Sequence, residues 1–240
     1  MNVDDAPREE KYLTGFDCKA GINDGKILSA LEHDDMVLSL AVSADKSAVV
    51  SASSDCSIIK WKVDKLEVEH RYKYAHTQSV MSVATSIEDS NNICVSCSLD
   101  GSAILWDFRQ PKPASVILDD ASCSLTAVSW RNNNEVIIGT SWGTLKFLDV
   151  RNKLITSHPC YDRTIHRILP SNDKRFLAVG GDTHILKVFD VSSDSAVCVY
   201  EDTRHEDFIH GLAWHPKTQN LYSAGWDSKV LCHNSINQER

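Results

Sequence analysis

Short runs of alternating apolar and small polar residues cover most of this chain. In one stretch "SVMSVATS" (79–86), "NICVSCS" (92–98), "SAILWDF" (102–108) and "ASVILD" (114–119) follow one another. Such segments are rich in Val, Ile, Ser and Thr. They are punctuated by Asp-Gly, Asn-Asn and Pro, and they predict antiparallel strands joined by tight turns. No stretch of helical length carries the 3.6-residue periodicity, so the fold class is all-β.

The four-strand pattern recurs. Aligned on Trp106 of "AILWDF", the same place is held by Trp61, Leu148, Phe189 and His233, at steps of 45, 42, 41 and 44 residues. That is the spacing of a WD-repeat β-propeller, in which each unit supplies four strands to one blade. Five units are expected, at approximately 33–74, 76–119, 123–158, 161–202 and 205–234, within a propeller region of 25–240. In the first unit the strands are "VLSLAVS", "SAVVSAS" and "SIIKWKV"; in the fifth they are "FIHGLAW", "NLYSAG" and "SKVLCH". Residues 1–24 match nothing in the repeat and read as a polar, poorly ordered tail.

Composition narrows the function classes. At 240 residues and 42% apolar content the chain can bury one core, or at most two. A net charge of −8 argues against direct nucleic-acid binding and is compatible with basic protein partners. The apolar runs are strand-sized, so no membrane span is expected, and the acidic start "MNVDDAPREEKY" is unlike a secretory signal. The eight cysteines are scattered and fit a reducing compartment, where most serve as small apolar fillers.

Two constellations hint at chemistry. Cys94 and Cys97 form a C-x-x-C, but residues three apart on a strand point to opposite faces. They share neither a metal nor a disulfide, and the strand-to-helix junction of a redox motif is missing. The second is a Ser-His-Asp pattern, which occurs three times: His33, Ser51, Asp55 and Trp61; His76, Ser96, Asp100 and Trp106; His205, Ser223 and Asp227, with His233 where Trp is expected. The set resembles the hydrogen-bonded chain of WD repeats, and three copies at one spacing are hard to reconcile with a single active site, so a structural role is expected and no catalytic residue, metal or cofactor. The third and fourth units lack the chain. Ile138 and Val179 stand in its serine positions, and Trp142 and Thr183 stand in its turn-Asp positions. Apolar packing is expected to hold those blades, with Trp142 either tucked over a neighbour or exposed as a contact.

Four stretches are more specific than the repeat: "EHDD" (32–35), "LWDFRQPKPAS" (105–115), "HEDF" (205–208) and "GWDSKVLCH" (225–233). Together they resemble the WD-repeat subunit of the methylosome, the methylosome protein 50 family, from about Leu31 to His233. The resemblance implies a non-catalytic adaptor in cytoplasm and nucleus. It would dock on a type II protein arginine methyltransferase and help present arginine-rich substrates, such as histone tails and Sm proteins, for symmetric dimethylation. The family has seven blades where this chain shows five units. An open arc of an incomplete propeller is therefore expected, with "GKILSAL" (25–31) completing the edge of a missing blade; the alternative is that this strand closes a five-bladed ring. A generic WD-repeat scaffold, such as a ubiquitin-ligase receptor or part of a chromatin complex, is the competing function.

One rim is the expected partner face. The loops entering the first strands carry Asp34 and Asp35 in one unit and Glu206 and Asp207 in another, an acidic set suited to basic tails. Phe208 follows at the start of a strand, where it either packs under its own loop or forms an apolar contact. In the second case Trp226 supplies the opposite wall for an arginine or lysine stem.

Overall fold

The computed structural model describes residues 32–86, 92–193, 196–234 and 236, so the expected 1–24 tail and the 25–31 strand lie outside the described residues. Blade one comprises β1 (Val37–Val42), β2 (Ala48–Ser53), β3 (Ile58–Lys62) and β4 (Glu67–Tyr72). Blade two comprises β5 (Val80–Thr85), β6 (Ile93–Ser98), β7 (Ser102–Asp107) and β8 (Ser115–Asp119). Blade three follows with β9 (Leu125–Trp130), β10 (Glu135–Thr140), β11 (Thr144–Asp149) and β12 (Ile155–Pro159). Blade four holds β13 (Ile165–Pro170), β14 (Phe176–Gly181), β15 (Thr183–Asp190) and β16 (Val197–Asp202). Blade five has three described strands, β17 (Ile209–Trp214), β18 (Leu221–Gly225) and β19 (Val230–His233). Each sheet is an antiparallel meander in chain order, and no helix occurs among the described residues. The molecule is a β-propeller.

The core lies between blades, not within one. Strand alternation gives each sheet a near face, carrying the Ser and Trp positions, and a far face. Val50, Ala52 and Ile58 on the far face of blade one meet Cys94 and Trp106 on the near face of blade two. Val95, Cys97 and Ala103 meet Leu125, Val136 and Ile138 in the same sense across the next junction. Ile137 and Leu145 then meet Leu177 and Phe189, and Ala178 and Leu186 meet Ile209 and Leu221. Cys94 and Cys97 therefore sit in different interblade cores. Each thiol is fully buried, and burial pushes both well above the ordinary range.

First strands also bond across the junctions. Thr85 Oγ1 donates to the Val42 carbonyl at 2.7 Å. Trp130 Nε1 donates to the Ala84 carbonyl and Trp214 Nε1 to that of Leu169, each at 3.1 Å. The first strands of blades one to four line a cavity of about 390 Å³ whose polar lining includes Ser39, Ser82, Ser129 and Arg167.

The far face of blade five differs from the others. Val230 occupies the position of Ile58, Ala103, Leu145 and Leu186, all fully buried, yet is 71% exposed. Cys232 beside it is exposed as well.

Candidate functional site

The sequence-predicted polar residues converge in three blades. In blade two, Trp106 Nε1 donates to Ser96 Oγ at 2.8 Å, and that oxygen lies 2.7 Å from His76 Nε2. His76 Nδ1 faces Ser102 Oγ at 2.8 Å and Asp100 Oδ2 at 3.3 Å. Blade one repeats the set with Trp61 Nε1 to Ser51 Oγ at 2.8 Å, Ser51 to His33 Nε2 at 2.7 Å and His33 Nδ1 to Asp55 at 2.9 Å. A single proton order satisfies every group: indole N–H to serine oxygen, serine O–H to Nε2, and Nδ1–H to the carboxylate. Burial lowers the pKa of His33 and of His76, in keeping with that neutral tautomer.

Burial alone would raise the aspartate pKa values, but the bonds outweigh it. Asp55 accepts from Ser57, from the backbone N–H of Asp34 and from His33, and its pKa falls to about 2. Asp100 behaves the same way with Ser102, Thr77 and His76, and also lies at about 2. The aspartate thereby ties the loop before the first strand to the turn after the second.

Blade five places His205 Nε2 2.8 Å from Ser223 Oγ and His205 Nδ1 2.9 Å from Asp227. His233 replaces tryptophan, with Nε2 2.8 Å from Ser223 Oγ. Because the serine O–H goes to His205, His233 supplies the N–H that an indole would. Its Nδ1 then accepts from Arg204 Nη2 at 3.2 Å. In each chain the serine hydroxyl is buried and already engaged on both sides, at 2%, 0% and 1% exposure for Ser51, Ser96 and Ser223. Such a hydroxyl cannot meet a substrate.

Blades three and four are held by other means. Ile138 and Val179 are fully buried, as apolar packing requires. Tyr161 adds a bond that sequence reasoning missed, its hydroxyl lying 2.8 Å from both the Val179 and the Ile185 carbonyl. In blade three Thr140 Oγ1 accepts from the Thr144 N–H at 3.1 Å, and Lys146 pairs with Asp120. In blade four the alignment puts Thr183 at the turn. The group that reaches across is the carboxylate of its neighbour Asp182, 2.5 Å from His166 Nε2.

The rim carries the candidate contact residues. Asp34, Asp35, Glu206 and Asp207 are all exposed. The two loops are built alike: the backbone N–H of Asp34 and of Glu206 donates to the turn aspartate at 2.9 Å. Asp35 and Asp207 each accept from the next backbone N–H, at 2.7 and 2.8 Å. Glu206 is paired with Lys229, so its charge is partly offset. Phe208 is half-buried, its ring centroid 5.9 Å from that of Trp226 and tilted by 51°. Trp226 is 65% exposed and stacks on His210 at 5.2 Å and 19°. On the blade-three side Trp142 is 68% exposed, with its indole N–H on the Ser122 carbonyl at 3.3 Å.

His166 and His210 also escaped the sequence reading. Their rings stack at 4.5 Å and 25°. Burial lowers the pKa of His210, and repulsion from neighbouring His166 adds to it. No local motif marks this pair, because its members lie 44 residues apart on separate blades.

No helix among the described residues is long and apolar enough to cross a membrane. The family model for the WD domain, G-beta repeat (WD40), matches residues 25–62, 68–107 and 196–234. The chain is 31% identical over 215 residues to methylosome protein WDR77 of Xenopus laevis, covering 87% of this chain and 63% of that protein. It is 26% identical over 217 residues to WD repeat-containing protein 37 of Xenopus laevis, covering 86% of this chain and 43% of that protein. Nuclear distribution protein nudF of Aspergillus niger is 27% identical over 198 residues, covering 80% and 43%. The chain thus spans about two thirds or less of the relatives it matches. The repeated strands, the His-Ser-Asp chains and this likeness together mark the chain as a WD-repeat β-propeller protein similar to a methylosome protein.

Proposed function

We propose that the chain is a non-catalytic adaptor of a methylosome. In this reading it binds a type II protein arginine methyltransferase and helps present arginine-rich proteins, such as histone tails and Sm proteins, for symmetric dimethylation in cytoplasm and nucleus. The observation that carries the reading is the 31% identity to a methylosome protein over 87% of the chain. The acidic loops of blades one and five, with exposed Trp226 beside the second of them and exposed Trp142 in blade three, support a surface for basic partners. Exposed Val230 and Cys232, at a face buried in the other four blades, support an incomplete propeller. Affinity purification of the tagged chain, followed by mass spectrometry, tests the reading. An arginine methyltransferase is expected in the eluate, and the chain alone is expected to methylate nothing.

A generic WD-repeat scaffold is the second reading. Matches to WD repeat-containing protein 37 and to nudF over most of the chain favour it. Recovery of cullin-ligase components without any arginine methyltransferase would select it.

A further inference from the structure

Every first strand begins with a β-bulge. The pairing skips one residue after Val37, Val80, Leu125, Ile165 and Ile209. A bulge re-aims the side chain it leaves unpaired, and such positions recur beside functional sites. The skipped residues are Leu38, Met81, Thr126, His166 and His210, so two adjacent blades present histidine at the equivalent place. Asp182, in the turn between β14 and β15, reaches the same spot.

One donor atom from each of His166, Asp182 and His210 lies within 4.8 Å of the other two. The His166 and Asp182 side chains are 22% and 30% exposed, sheltered but open to a diffusing ion. Among the described residues nothing hydrogen-bonds to either ring nitrogen of His210. Arg167 is anchored on the main chain, its Nε donating to the His210 carbonyl at 3.1 Å. Two imidazoles and a carboxylate are a donor set for zinc-class ions.

We propose that His166, Asp182 and His210 form a divalent transition-metal site that clamps blade four to blade five. With bonds of about 2.0–2.1 Å, tetrahedral ligands stand about 3.3 Å apart, so modest side-chain rotation converts the cluster into a coordination shell. When the metal takes His166 Nε2 and the Asp182 carboxylate, the proton between them passes to solvent and the neutral imidazole carries its proton on Nδ1. Three protein ligands leave a position for water or for a side chain of a docked protein. The site adds to the adaptor reading and does not depend on it, because the ligands belong to this chain alone.

The test uses the full chain stripped with EDTA. Zinc chloride is titrated by calorimetry, and cobalt chloride is followed by visible absorption and tryptophan fluorescence. A single saturable site is expected, with emission quenched because Trp226 stacks on a ligand. His210→Ala and Asp182→Asn should each weaken binding about tenfold or more, while His158→Ala on β12 leaves it unchanged. Trp226→Phe should retain zinc binding and lose most of the cobalt quench. His210→Gln, with a metal-free thermal melt of every variant, separates ligand loss from misfolding. Absence of saturable binding up to millimolar zinc would overturn the proposal. So would binding that survives both the His210 and the Asp182 substitutions in folded protein.

Discussion

Ser96 shows how little a residue name says about its role. Beside His76 and Asp100 it has the makings of a hydrolase nucleophile, yet its hydroxyl is sealed between an indole and an imidazole. Truncating His76 or Trp106 to Ala should destabilise the fold by about 2–4 kcal/mol, through lost packing and stranded polar groups. Thermal melts of the purified variants measure this; an unchanged melting temperature would make the pair dispensable to the fold.

The same chain fixes the response to acid. His33 and His76 are held neutral in the fold, so the unfolded state binds protons more readily, and stability falls as pH drops below about 6.5. Asp55 and Asp100, at about 2 in the fold, favour it at neutral pH, and that contribution is lost between about pH 4 and pH 2. Melting temperature against pH should decline in two stages, the first shallower in His76→Ala. At the rim the expectation reverses. Trp226→Ala should leave the melt unchanged, because the ring is 65% exposed, but weaken capture of an arginine-rich peptide by about 1–3 kcal/mol. Phe208→Ala, from a half-buried position beneath it, should affect both readouts.

At the scale of the element, the turn between second and third strands is the most constrained piece. It needs a left-handed residue in four blades, supplied by Cys56, Gly101, Gly143 and Ser228 at φ of 65°, 83°, 74° and 62°. Only two are glycines, and the packing explains why those two must be. A Cβ on Gly101 would sit 2.2 Å from the Asp120 carbonyl oxygen, and one on Gly143 2.4 Å from that of Tyr161. Gly143→Ala should therefore destabilise by more than the ordinary left-handed penalty of about 1–2 kcal/mol. Cys56→Gly, where no such backbone intervenes, should be tolerated. Chemical denaturation of the two variants side by side makes the comparison. Strand positions were legible throughout, because alternation and turn residues are local signals. The bulges were not, since a skipped residue shows only once two strands are paired.

For the molecule as a whole, the acidic loops of blades one and five provide the long-range term. Reversing Asp34, Asp35, Glu206 and Asp207 to Lys should slow association with a basic peptide, strongly at low salt and weakly at high salt. Fluorescence titrations at two ionic strengths test this; equal affinities for both proteins at low salt would remove the rim from the binding surface. The Lys229 partner of Glu206 makes that position the smallest contributor of the four.

The sequence by itself determined the strands, the forty-odd-residue repeat and the histidine-serine-aspartate chains, because each follows from spacing within one unit. It also separated Cys94 from Cys97, since the two-residue period of a strand admits no other result. What only the tertiary structure decided is side-chain pairing that no spacing in the sequence marks: Tyr161 reaching the Val179 and Ile185 carbonyls, His233 donating in place of an indole, and His166 and Asp182 of blade four converging with His210 of blade five. The first two exist only once the strands of one blade have paired. The third exists only once two blades are packed.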